Sequence, residues 1–193
     1  LVAQHAFPEL VAAPAALRSK EMKKTFVVAL MALAFLSLEI RADWSVKDGS
    51  VVTFVSIKNN AVGELNRFEG ITGIVDAEGA IDVWIDLDSV ETLIEIRNER
   101  MKKLLFQTKL FPRAHITGQL GPAELKRALS RTGVLLSLDL KIDLHGRAVS
   151  KPVTLRLDHY DNQLSVVTTQ PILINAADFG LESGVSALQE VAG

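Results

Sequence analysis

The stretch GVLLSLDLKIDLHGR, Gly133 to Arg147, constrains the fold more than any other part of the chain. From Val134 to Leu144 every even position is apolar: Val134, Leu136, Leu138, Leu140, Ile142 and Leu144. The odd positions read Leu135, Ser137, Asp139, Lys141 and Asp143. A period of two is the signature of a strand with one face buried and the other wet. A strand this long needs cover along its whole apolar face. Closing a sheet on itself supplies that cover and removes exposed edges.

Most of the remaining chain carries the same period. Trp44–Lys47 and Val51–Lys58 read as two strands joined through the turn signal Asp48-Gly49. FEGITGIVD, from Phe68, reads as a third, ending at the turn DAEG. In AIDVWIDLDS the side chains of Ile81, Val83, Ile85 and Leu87 oppose Asp82, Trp84, Asp86 and Asp88. RAHITGQLG is a fifth strand, with Ala114, Ile116, Gly118 and Leu120 on one side. The stretch around Val134–Leu144 is the sixth. PVTLRLDHY is the seventh, with Val153, Leu155 and Leu157 opposing Thr154, Arg156 and Asp158. QLSVVTTQPILIN is the eighth, where Pro171 ends the ladder or marks an edge.

One segment breaks the pattern. In Ser89 to Phe106, Val90, Ile94, Arg97, Met101 and Leu104 or Leu105 recur at spacings of three and four, which is helical. Ser89 is a candidate cap for its start. A second short helix is expected over Ser183–Val191. The expected fold class is therefore mainly β: an antiparallel eight-stranded barrel with one inserted helix. A sandwich fits the alternation equally well. An eight-stranded barrel either fills itself with side chains or holds one small ligand.

The N-terminal region predicts export. Met22-Lys23-Lys24 precedes the uncharged run TFVVALMALAFLSL, which ends at Leu38, and the texture changes at Asp43-Trp44. A basic start, a short apolar run and a small residue before the change describe a signal peptide over 22–42, cut after Ala42. The run is short for a spanning helix, which needs about 20 residues. An uncleaved anchor is the alternative. Residues 1–21 precede this signal without a starting Met, so they read as a start-site artefact or an extended basic region. The expected domain is 43–193, in the periplasm or secreted, without stable membrane insertion once the signal is cut.

Net charge is −2, and residues 1–42 carry more basic than acidic groups, so the remainder is slightly more acidic. Such a surface has no electrostatic reason to bind nucleic acid. The absence of cysteine excludes disulfides, thiolate metal sites and a cysteine nucleophile. Of the four histidines, His5, His115, His145 and His159, no two share metal-ligand spacing on one expected face. Asp143 and His145 do share the outward face of one strand, but two ligands do not make a site. There is no G-x-S-x-G motif and no phosphate-cradling glycine loop. The expectation is a protein that is not an enzyme, with no metal.

Several features together resemble the YceI-like family of exported lipid-binding proteins. They are Trp44, Ser50 and VTFVSIK; Gly63, Phe68 and Gly73 in GELNRFEGITG; and Ser89-Val90-Glu91-Thr92. They continue with Arg97-Asn98-Glu99-Arg100-Met101, Phe106 and KLFP, then LKIDLHGRAVSKPVTL with His145, Gly146, Lys151 and Pro152, and finally DFGL. The resemblance spans the chain from Trp44 onward. It implies a lipocalin-like barrel whose long interior pocket holds an isoprenoid or quinone tail. Two departures stand out. The family's helix Asp and His are Asn98 and Arg100 here, and Lys58 is followed by Asn59 where the family has His. If those residues handle a ligand head group, a different head group is expected. Family members usually continue into a closing strand after SALQEVAG, so the resemblance also implies a barrel lacking that stave.

The candidate ligand-binding set is the inward side of these strands: Phe54, Phe68, Val83, Ile85, Leu87, Ile116, Leu136, Leu138, Leu140, Leu155 and Leu157. Arg97 joins it because it interrupts the helix's apolar stripe, and a buried guanidinium needs a partner. Asp86, Asp88 or a ligand phosphate are the candidates for that partner. Its basic neighbours Arg100, Lys102 and Lys103 read as a solvated face pairing with Glu91, Glu95 and Glu99. The expected function is binding, sequestration or transport of a hydrophobic long-chain ligand, an isoprenoid, a quinone or another lipid. A homodimer is left open. The alternative is a secreted barrel with a filled core that acts through its surface, as a stress-response or interaction protein.

Overall fold

The computed structural model describes residues 44–58, 62–160 and 163–192. The segments 1–21 and 22–42, read above as a start-site artefact and a signal peptide, lie outside the described residues, as does Asn59. The architecture is mainly antiparallel β, as the alternation predicts. Among the described residues it contains ten strands where eight are expected, and they form two sheets.

The larger sheet has seven strands. They are β1 (Trp44–Ser45), β4 (Ile71–Val75), β5 (Ala80–Asp86), β7 (Arg113–Gln119), β8 (Val134–Leu144), β9 (Arg147–Tyr160) and β10 (Gln163–Thr168), in the spatial order β1-β4-β5-β7-β8-β9-β10. The smaller sheet joins β2 (Val52–Lys58), β3 (Val62–Phe68) and β6 (Val90–Glu91) in that order. The two strands that the alternation misses are β3 and β6.

The register puts the apolar rows on one face. Leu136 pairs with Leu155, Leu138 with Val153 and Ile142 with Val149. Val83 pairs with Ile116, which pairs with Ile142. These rows face the concave side. The tight turn between β8 and β9 places His145 at φ 54 and Gly146 at φ 74. Two consecutive residues in the left-handed region form the turn whose twist suits a two-residue hairpin. The β4–β5 turn is held by Asp76, whose Oδ1 accepts the N–H groups of Glu78 (2.9 Å) and Ala80 (2.8 Å).

Among the described residues, three helices accompany the sheets. The first, α1 (Glu95–Arg100), widens into a π-helical turn over Met101–Phe106 and stops at Gln107, in the left-handed region. It starts six residues later than the expected Ser89. That serine instead ends a 3-10 turn, and its hydroxyl accepts the Gly70 N–H at 2.8 Å. The second helix, α2 (Pro122–Ser130), is absent from the sequence reading. Pro122 opens it, and the Glu124 carboxylate accepts the Gly121 N–H at 2.6 Å. The third, α3 (Glu182–Ala192), matches the expected C-terminal helix.

The long β9 is paired with β10 only from Leu155 to Tyr160. Its first half would be an open edge, which explains why Pro152 is tolerated there. A 3-10 segment, Ala176–Phe179, packs against this half. Lys151 Nζ reaches Asp178 Oδ2 at 3.1 Å, and Arg147 donates to the Ala177 carbonyl at 3.2 Å. Phe179 beside them is fully buried. Covering an edge in this way blocks unwanted strand pairing.

Candidate functional site

The concave face holds its apolar side chains in three packing groups. The first gathers Phe68, Ile85, Leu87, Val90, Met101, Phe106 and Ala114, with Phe54 and Ile116 against it. It joins the small sheet, α1 and one end of the large sheet. Its aromatic centre is tight: Phe54 stacks on Phe68 at 5.1 Å, and Phe106 stands edge-on to Phe68 at 5.5 Å. The second group gathers Leu120, Ala128, Leu136 and Leu157, with Leu125, Leu138 and Leu155 against it. Here α2 covers the other end of the sheet. The third gathers Ile142, Phe179 and Leu181 under the C-terminal segment.

The expected site residues divide among these groups. Phe54, Phe68, Ile85, Leu87 and Ile116 meet in the first. Leu136, Leu138, Leu155 and Leu157 meet in the second. Leu140 and Val83 belong to none, and neither does Val153, which the candidate set omits. Yet Leu140 and Val153 are buried, at 7% and 6% exposure. They lie on neighbouring strands between the second and third groups. Gly118 is the cross-strand neighbour of Ile81, and the side chain of Leu140 closes over it. A Cβ at Gly118 would come within 2.6 Å of Leu140 Cδ2. The result is an apolar strip, shielded from water, in which Leu140 lies over Gly118 beside Ile81 and Leu138 of the second group.

Arg97 has a different partner from those expected. Its guanidinium contacts the Glu64 carboxylate through two nitrogens, at 2.8 and 3.1 Å, and both side chains are partly exposed. Glu64 lies on β3, in a strand the alternation misses. Asp86 is engaged elsewhere, accepting the Asp88 N–H at 3.0 Å. The stripe thought to bury Arg97 is buried only at its ends: Val90 and Met101 are 3% and 4% exposed, but Ile94, one turn before Arg97, is 44% exposed. The basic neighbours pair as expected in one case, Lys102 with Glu99 at 3.0 Å.

Of the departures from the family pattern, Asn59 lies outside the described residues, and the helix residues Asn98 and Arg100 are both engaged within the protein. Asn98 Oδ1 accepts the N–H of Thr92 at 2.8 Å and its hydroxyl at 2.6 Å, while Asn98 Nδ2 donates to Glu91. The Glu91 carboxylate also accepts the Leu93 N–H, and Leu93 holds φ 62. These hydrogen bonds, that to Leu93 first, hold the Glu91 carboxyl below its ordinary value. Arg100 donates to the Val191 carbonyl at 3.0 Å and so ties α1 to the end of α3.

On the convex face Trp84 stacks on His115, with centroids 3.7 Å apart and planes 6° apart. His115 Nε2 lies 3.3 Å from Asp82 Oδ2. His145 sits in the hairpin turn against Phe111, at 4.2 Å. Among the described residues no group of three or more His, Asp or Glu is placed to hold a metal ion, and no helix is long and apolar enough to cross a membrane. A surface cleft of about 570 Å³ lies between the β4–β5 turn and α2, lined by Ala77, Pro122, Leu125 and Leu129 among others.

Comparison with known proteins decides the lineage. A family model described as a YceI-like domain matches residues 44–192. The chain belongs to the YceI-like family. Among solved structures, a polyisoprenoid binding domain from Saccharophagus degradans, implicated in plant cell wall breakdown, is 32% identical. That match covers 79% of this chain and 88% of the other, with a TM-score of 0.72. BcnA of Burkholderia cenocepacia is 18% identical over 68% of this chain and 79% of its own, with a TM-score of 0.53, a likeness of fold. No curated protein matches the chain significantly. The matched residues include every strand of the two sheets described here.

Proposed function

We propose that this YceI-like domain binds one long hydrophobic ligand of the polyisoprenoid class along the concave face of its large sheet. The observation that carries the reading is the apolar concave face itself, on which Leu140 and Val153 are buried between the second and third packing groups and Val83 is half-buried beside Ile116. The partly buried residues Leu138, Leu155 and Ile116 continue it into those groups. The Saccharophagus polyisoprenoid binding domain supports the choice of ligand class. Burial of a hydrocarbon chain contributes about 0.8 kcal/mol per methylene, so a long tail needs few polar contacts. The protein would sequester and carry such a tail through a watery compartment, with no bond made or broken. The basic and apolar segment 22–42 supports export to the periplasm or beyond.

The test is organic extraction and mass spectrometry of protein purified from its native compartment. A long-chain lipid near one per protein is expected, and Leu138→Trp should load much less of it. An empty wild type, or a Leu138→Trp variant that loads fully, would overturn the reading.

A further inference from the structure

The large sheet curls until its first edge approaches the β9–β10 hairpin, yet no ladder joins β1 to β10 among the described residues. β1 is two residues long and pairs only with β4, while β10 pairs only with β9. Two side-chain contacts bridge the gap, one from β1 to the end of β9 and one from Lys47, just past β1, to the start of β10. The Trp44 ring stands edge-on to His159, with centroids 5.8 Å apart and planes at 72°. Lys47 Nζ donates to Gln163 Oε1 at 3.3 Å. Both contacts sit at the β9–β10 hairpin end of the seam.

Farther along β10 the seam is open. Val166 is the cross-strand partner of Leu157, so the two share the concave face. Leu157 is 3% exposed and Val166 50%. An inward-facing valine half in water marks the place where the concave face reaches solvent. Side-chain contacts cost far less to part than a hydrogen-bonded ladder, whose backbone groups would lose their partners.

We propose that the seam between β1 and β10 is the passage by which a lipid tail reaches the concave face, with Trp44 against His159 as its latch. This rests on the proposed function. The tail slides in sideways past Val166, and Trp44 must swing off His159 for the seam to widen. The passage controls rates, while the strip around Leu140 sets affinity.

The chain has no cysteine, so a pair of introduced thiols can be linked cleanly. The experiment uses Lys47→Cys with Gln163→Cys, joined by a cleavable bifunctional maleimide. It measures uptake of a fluorophore-tagged long-chain prenol from phosphatidylcholine vesicles, in the same protein before linking, after linking and after cleavage. Linking should slow uptake at least tenfold, and cleavage should restore it. Trp44→Ala should speed uptake and release by the same factor and leave Kd within about twofold. Uptake that is unchanged by the link overturns the passage. So does slowing only when Ala77→Cys and Lys126→Cys are linked across the cleft beside α2. A wild type that never takes up the prenol defeats the proposed function itself, and is distinguished from both by the unlinked protein's own trace.

Discussion

Gly184 lies so close to the backbone of Leu104 that a Cβ there would stand 2.6 Å from the Leu104 carbonyl oxygen and 2.8 Å from Leu105 Cα. The obstacle is backbone, which cannot rotate away. The glycine therefore sets how closely α3 packs on the π turn of 101–106. Gly184→Ala should push the helices apart and cost roughly 1–3 kcal/mol, the range for overpacking. Urea denaturation of the two proteins would check it. An unchanged midpoint would mean that α3 is not seated as described.

Asn98 makes a second prediction, with a sign that depends on pH. Its amide donates to Glu91 while accepting two hydrogen bonds from Thr92. Asn98→Asp keeps the acceptors, removes the donor and sets a second carboxylate beside Glu91. Like charges this close disfavour double ionisation. The variant should be less stable than wild type at pH 7, with the gap narrowing as pH falls and one carboxyl takes a proton. The wild type runs the other way. The Glu91 carboxyl is held below its ordinary value of 4.5, so its contribution is present above that value and is lost as pH falls through the lower folded one. Thermal melts of both proteins from pH 7 to pH 3 would show the gap closing. A gap that widens in acid would contradict the hydrogen bonding described for Asn98.

The Arg97–Glu64 pair predicts a small effect. Its contacts are short, but both side chains keep about a third of their exposure, 28% and 32%. Partly exposed ion pairs contribute about 0.2–1 kcal/mol. A double-mutant cycle with Arg97→Ala and Glu64→Ala should return a coupling in that range. A coupling well above it would show that the pair is shielded from water.

These three contacts also show what the sequence made legible. The period of two in Val134–Leu144 predicts the face that the structure buries, because β8 runs through the middle of the sheet with one side dry. Leu136 and Leu140 are buried, while Ser137 and Asp139 are exposed. The rule fails on β3. There Glu64 and Asn66 face the same side as buried Phe68, and Leu65 is 69% exposed on the other. An inward glutamate is stable because Arg97 meets it, and that partner sits 33 residues away on a helix. Local pattern cannot report such a pairing. The signals for α2 were present in Gly121, Pro122 and Glu124, but a single helical span of nine residues shows little periodicity beside a strong strand. The candidate lining was legible as a face, whereas its division into three groups with a strip between them depends on which helix covers which end of the sheet.

Leu136 and Leu140 share one face of one strand, and the strip predicts that they fail differently. Leu136 is 2% exposed and packed among Leu120, Ala128 and Leu157. Leu136→Ala removes those contacts and leaves a cavity, which should cost about 2–5 kcal/mol. Leu140 is nearly as buried but lies over Gly118, which offers it no side chain to pack against. Leu140→Ala in ligand-free protein should therefore fall at or below the lower end of that range, about 2 kcal/mol. With a long-chain prenol bound, the order should change. Ligand adds stability in proportion to its occupancy and affinity, and Leu140→Ala should lose more of that increment than Leu136→Ala does. Melting each protein with and without the prenol separates the two effects. If both leucines cost the same stability when empty and the same ligand increment when loaded, the strip between the packing groups does not hold the tail.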